Sequence, residues 1–167
     1  MELLIVRHGA AVEPVSHSEE ADEERSLTAK GKRQMRRIVD GIVTNVPDID
    51  AIATSPLVRA VQTADILAAA YDDVSPQELD GLAPAGERDD VLKWLQEQGE
   101  NDTLAVVGHE PHLGLLASWL LAAPFNHFME LKKGGACLLS WPDYPTAGNA
   151  WLQWALTPEQ LRKLGKA

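Results

Sequence analysis

The sequence predicts an α/β protein, a three-layer α/β/α sandwich with a mainly parallel central sheet and an antiparallel C-terminal hairpin. Three observations predict it. Short aliphatic runs suited to strands buried on both faces recur at residues 3–6, 51–54 and 103–108. Each is followed by a stretch with helical spacing of apolar residues, and strands alternating with helices assemble a parallel sheet through right-handed crossovers. After Pro124 the alternation ends, and two strand-like runs follow one another across a turn-rich connection.

The elements follow in order. Residues 3–6 make the first strand. Thr28 is a suitable N-cap for the first helix, in which Met35, Ile38, Val39, Ile42 and Val43 form one apolar stripe before Pro47 ends it. "AIAT" at 51–54 is the second strand and residues 57–71 the second helix. Residues 87–98 read as a third helix with Val91, Leu92 and Leu95 inward. "TLAVVG" at 103–108 repeats the strand pattern, and residues 113–122 form a fourth helix, apolar nearly all round and so expected to be well buried. "ACLLSW" and "NAWLQWAL", joined by "PDYPTAGN", predict the hairpin. Thr157 as N-cap and Pro158 at the first helical position start a short last helix. Residues 1–167 are expected to form a single domain without a large cap insertion.

Composition narrows the function. Fifteen Lys and Arg against 25 Asp and Glu give a net charge of −10, which argues against nucleic acid or anionic membrane as a partner. An anionic ligand then needs a local positive pocket. Cys137 is the only cysteine, so no internal disulfide is possible. The start at Met1 and Glu2 has no basic leader region, and the apolar stretch 113–125 is too short to span a bilayer. A cytoplasmic protein without a cofactor is the expectation.

Ligands of such sheets bind outside the carboxyl ends of the strands. Arg7 and His8 leave the end of the first strand, His109 leaves the end of "TLAVVG", and Ser55 and then Arg59 follow "AIAT". Two guanidiniums and two imidazoles on one edge make a site for a tetrahedral oxyanion, because the arginine fork matches phosphate oxygens. The expected ligand is a phosphoryl group.

"RHG" at 7–9, "LTAKG" at 27–31, "SPLVRAVQTA" at 55–64 and "VVGHEP" at 106–111, in that order and near the strand-to-helix junctions, resemble the histidine phosphatase (phosphoglycerate-mutase-like) superfamily. The short chain and the segment "DEERSLTAKG" at 22–31 resemble its small SixA-type phosphohistidine phosphatases in particular. The sugar-phosphate mutases are less similar, since Pro14 stands near the place of their usual asparagine.

The resemblance implies a metal-independent phosphatase in which His8 attacks phosphorus to form a phosphohistidine that water then hydrolyses. It assigns Arg7, Arg59 and His109 to the phosphoryl oxygens. Cations beside His8 disfavour its protonation and keep its attacking nitrogen free. For the leaving group's proton the resemblance points to Asp22, with Arg25 as a further phosphate contact. Glu78 and Asp80 are alternative acids, near the segment where larger members carry a glutamate. A protonated phosphoramidate leaves more readily than an alkoxide, so a poorly placed acid suits phosphohistidine better than an alkyl ester. The expected substrate is a phosphohistidine-bearing protein, or else a small phosphorylated metabolite.

Other residues have plainer readings. His112 reads as a helix-start residue, and His17 and His127 as surface residues. The six carboxylates in residues 13–24 read as a solvated, mobile loop at the site mouth. Thr28 and Gly31 read as a cap and a close-packing position, Cys137 as a buried strand residue, and the five tryptophans as core and hairpin packing. Two competing functions remain: a phosphate-sensing module without catalysis, and a metal-binding module using His109, His112 and His127 or Cys137. "HEPH" lacks the helical HExxH frame that such a metal site requires.

Overall fold

A computed structural model describes residues 1–72, 74–124 and 127–166. Six strands, β1 (Glu2–Arg7), β2 (Ala51–Thr54), β3 (Gln77–Glu78), β4 (Thr103–Gly108), β5 (Ala136–Ser140) and β6 (Trp151–Leu156), form one sheet in the order β3-β2-β4-β1-β5-β6. β1 to β4 run parallel. β5 returns antiparallel to β1 and β6 antiparallel to β5. The helices are α1 (Glu19–Glu23), α2 (Ala29–Asn45), α3 (Val58–Ala68), α4 (Arg88–Gln96), α5 (His112–Ala122) and α6 (Pro158–Leu164).

Alternation along β1 builds the three layers. Leu4 and Val6 enter a core shared with α2, α3 and α6, whereas Leu3 and Ile5 enter the opposite core, against α4 and α5. All four are fully buried, as a central parallel strand requires. The expected sandwich and hairpin are both present. Thr28 Oγ1 accepts the Gly31 N–H at 2.8 Å, and Thr157 with Gln160 closes a capping box on α6. Of the described helices, none is long and apolar enough to cross a membrane.

Two expectations need correction, and one element was not anticipated. The acidic segment holds a helix, α1, capped by Ser18 and carrying Glu19, Glu20 and Asp22 in its first turn, where the helix dipole favours negative charge. β3 is an unexpected two-residue strand. Trp151 lies on the edge strand with 64% of its surface exposed, so not every tryptophan packs inward. His17 and His127 are exposed, Cys137 is buried in β5, and α5 begins at His112. The apolar stretch 113–125 is followed through Pro124, Phe125 lying outside the described residues.

Candidate active site

The register of the sheet decides which side chains meet. Arg7 stands opposite Gly108 in the β1–β4 ladder, and the His8 N–H continues it onto the Gly108 carbonyl at 3.0 Å. His8 and His109 therefore leave adjacent strand tips side by side, with ring centroids 5.0 Å apart. On the other flank of β4 the Ser55 N–H binds the Val107 carbonyl at 2.9 Å, which brings the end of β2 and the start of α3 to the same edge.

His8 is buried, and its Nδ1 lies 2.7 Å from the Gly9 carbonyl. A carbonyl can only accept, so Nδ1 carries the proton and Nε2 keeps its lone pair. The loop that fixes this geometry is held from three sides. Gly9 N–H donates to Thr63 Oγ1 at 3.1 Å, and the Thr63 hydroxyl donates to the Arg59 carbonyl at 2.7 Å. A Cβ on Gly9 would stand 2.6 Å from Met35 Cγ, so glycine lets the loop lie against α2 without displacing the Met35 side chain. Gly134, at φ 77°, turns its N–H onto the carbonyls of Arg7 and His8.

Burial is the main reason the His8 imidazole drops to about 4; the Gly9 hydrogen bond opposes this, while the charges of Arg59, Arg7 and Lys133 add to it. The flanking cations thus act as expected, but burial does more. His109, also buried, falls to about 3, through burial first and then the neighbouring His8 and Arg59. Both rings are neutral near pH 7. His109 Nε2 lies 2.7 Å from Ser55 Oγ, which also accepts the Leu57 N–H at 3.3 Å. With Ser55 donating its own proton to Nε2, His109 Nδ1 becomes an N–H donor.

Arg7 donates Nη1 to the Leu131 carbonyl at 2.6 Å. Leu131 N–H is held in turn by Glu110 Oε1 at 2.9 Å, so the glutamate of "GHEP" positions the segment that anchors Arg7. Arg59, buried on α3, donates Nη1 to the Asp22 carbonyl at 2.6 Å and Nη2 to Asp22 Oδ2 at 3.0 Å. Arg7 Nε, Arg59 Nε and His109 Nδ1 are buried without a protein partner. Buried donors are rarely left so, and both arginines are close enough for their charges to act on His8, an arrangement that suits the oxygens of a tetrahedral anion.

Asp22 and Arg25 meet the others differently from expectation. Asp22 Oδ1 accepts from Arg25 Nη1 at 2.8 Å while Oδ2 holds Arg59, and Arg25 Nε binds the Val12 carbonyl at 2.7 Å. The Arg25 hydrogen bond, with Arg59 behind it, keeps the Asp22 carboxyl below the usual carboxylate range. That direction is opposite to what a proton donor needs, and in this arrangement Asp22 is a clamp on two arginines. Glu78 closes the short β3, exposed, and Asp80 opens the turn after it. His112 Nε2 lies against the Gly86 carbonyl at 3.0 Å, and among the described residues no three His, Cys, Asp or Glu side chains gather as a metal-binding group. Sequence reasoning gave no role to Thr63, Glu110, Gly134 or the Leu131 carbonyl. Thr63 and Glu110 lie within quoted motifs, which was their signal; a backbone carbonyl has none.

The model of the histidine phosphatase superfamily (branch 1) matches residues 3–85. An uncharacterised protein of Picosynechococcus sp. is 39% identical over 137 residues, covering 81% of this chain and 82% of its own. The phosphohistidine phosphatase SixA of Escherichia coli is 27% identical over 172 residues, covering 100% of this chain and 99% of its own. Among solved structures, the protein histidine phosphatase SixA complexed with tungstate superposes with a TM-score of 0.79 at 25% identity, over 96% of this chain and 99% of that one.

Proposed function

Because the chain belongs to the histidine phosphatase superfamily, we propose that it is a protein phosphohistidine phosphatase working through a covalent phosphohistidine on His8. The observation that carries this reading is the Nδ1–Gly9 hydrogen bond, which leaves the Nε2 of a buried, neutral imidazole free for attack. SixA-like relatives spanning the whole chain support the substrate class.

The proton balance favours a phosphoramidate. His8 Nε2 gives its lone pair to phosphorus as the substrate's P–N bond breaks, and the electron pair goes to the departing imidazole nitrogen. A phosphorylated imidazole protonated on its other nitrogen departs as neutral imidazole, so no acid on the enzyme is required. An alkyl ester would need one, and Asp22 is held as a carboxylate. In the second step water attacks, both its protons stay on the released phosphate, and His8 regains its lone pair with Nδ1–H still on Gly9. Arg7, Arg59 and His109 hold the oxygens in both steps. Removing one such donor raises a barrier by roughly 2.7–4 kcal/mol in comparable sites. A cytoplasmic setting accords with a single, deeply buried thiol, Cys137, which burial pushes up to about 12 and so keeps unreactive.

Trapping in alkaline detergent with a peptide whose phosphohistidine carries a radiolabelled phosphoryl group tests nucleophile and chemistry together. The expected adduct is acid-labile and alkali-stable, and it disappears, with turnover, in His8→Ala. Turnover of that variant at the parent rate would remove His8 from the role. A strong preference for one member of a sugar-phosphate panel over the peptide would replace the protein substrate by a small phosphate ester.

A further inference from the structure

α2 carries Lys30, Lys32, Arg33, Arg36 and Arg37 within its first nine residues, and no acid in its first turn. Lys30 and Lys32, in the first turn, are unfavourably placed because the helix dipole is positive at that end. Among the described residues none of the five forms a salt bridge, although Arg36 shares a cavity wall with Asp40 and Asp65. In a chain of net charge −10 this segregation calls for a use.

The arrangement around these side chains supplies one. Lys30, Arg33 and Arg37 line a cavity of about 250 Å³ together with Gln34. Gln34 also lines a second cavity, of about 110 Å³, whose walls include Gly9, Ala10, Lys133 and Arg162. Neither cavity is lined by a carboxylate, and the second one reaches the loop directly after His8. Lys133 is close enough for its charge to act on His8. The nearby Glu159 on α6 is already paired with Lys163 at 2.9 Å and lies in the field of Arg162 and Lys132 as well. A face carrying Lys30, Arg33, Arg37, Lys133 and Arg162 thus lines two cavities that share Gln34 and reach the loop beside the reacting imidazole.

We propose that this face docks an acidic patch beside the phosphohistidine on the partner protein. The inference rests on the reading of the site given above and adds the charge of the partner. Residues 30–37 alone extend about 11 Å at 1.5 Å per residue, more than one phosphoryl group occupies, so the face suits an extended anionic surface. A bounded acidic patch can match it, whereas a long polyanion would also meet the surplus carboxylates elsewhere on the chain. Complementary charge of this kind acts on encounter and register, and its effect fades as salt rises.

The probes are two synthetic phosphohistidine peptides, one flanked by aspartates and glutamates and one by serines and glutamines, with a small phosphoramidate as the third substrate. At low salt the parent is expected to cleave the acidic peptide with a kcat/KM about tenfold above the neutral one. The double variant Arg33→Glu with Arg37→Glu, on exposed positions away from the reacting groups, should lose that preference and hydrolyse the small phosphoramidate at the parent rate. Equal rates on both peptides in the parent, or a preference that survives the double variant, would overturn the proposal. Fluorescence anisotropy with the unphosphorylated acidic peptide reads docking without catalysis. If no phosphoramidate is cleaved, the proposed activity fails, while charge-dependent binding lost in the double variant still supports the face. Tighter binding of a short DNA duplex or of phosphatidylserine vesicles than of the acidic peptide would overturn the protein partner.

Discussion

Asp22 concentrates the chemistry at the level of single residues. Its two carboxylate oxygens are divided between Arg25 and Arg59, and its backbone carbonyl takes a second proton of Arg59. Two roles predict different numbers. As a general acid, Asp22 would be worth about 10² to 10⁴ in rate. As a clamp, it orients Arg59, and an asparagine retains its carbonyl oxygen and part of the hydrogen bonding. Asp22→Asn is therefore expected to keep kcat on a phosphohistidine peptide within about tenfold of the parent. Steady-state kinetics checks this, and a loss of a thousandfold in kcat would return Asp22 to the role of proton donor. Arg7, His8, Arg59 and His109 were legible as a group because each closes a strand, directly follows one or opens the next helix. The carbonyls of Gly9, Leu131 and Asp22 that orient three of them were not, because every residue type supplies one.

Among the elements, the docking of α6 on α2 turns on one residue. Gly41 sits within α2, where replacing glycine by alanine ordinarily stabilises a helix by about 1 kcal/mol. Here an added Cβ would overlap the Leu161 carbonyl of α6, a backbone atom that no rotamer change can move aside. Gly41→Ala should accordingly invert the usual sign and destabilise the fold by about 1–3 kcal/mol, as overpacked contacts do. Urea unfolding measures it, and a rise in stability would show that α6 can shift at little cost. The elements missing from the sequence reading share a physical cause. β3 has two residues, too few for any period to appear, and it is held by pairing with β2. α1 has no buried residue and so no apolar stripe; it is defined by its Ser18 cap and by Asp22 binding across to α3. α2 and the central strands showed plainly because they bury one stripe or both faces. Burial is what hydrophobic pattern reports.

Over the whole molecule, the site is bought with acid stability. His8 and His109 are buried as neutral imidazoles, at about 4 and about 3, whereas the unfolded chain protonates both near 6.5. Between those values the unfolded state binds more protons than the native state, so stability rises with pH and falls on acidification. Each histidine contributes a slope of up to roughly 1.4 kcal/mol per pH unit, half of that at pH 6.5 where the unfolded ring is half protonated, or about 1.6 kcal/mol between pH 6.5 and 5. Asp22 works at lower pH, because its depressed carboxyl adds stability above the unfolded value of 3.8 and loses it as pH falls through the folded one. The surplus of carboxylates acts in the opposite sense, since mild acid relieves the self-repulsion of a chain at −10. Comparison with a double variant, His8→Asn with His109→Gln, cancels that background, which is the same in both proteins. The parent should lose up to about 3 kcal/mol more than the variant between pH 6.5 and 5 in urea unfolding. Parallel stability profiles over that range would mean that the two rings take up protons in the folded state as easily as in the unfolded one, and that burial at the strand tips does not hold them neutral.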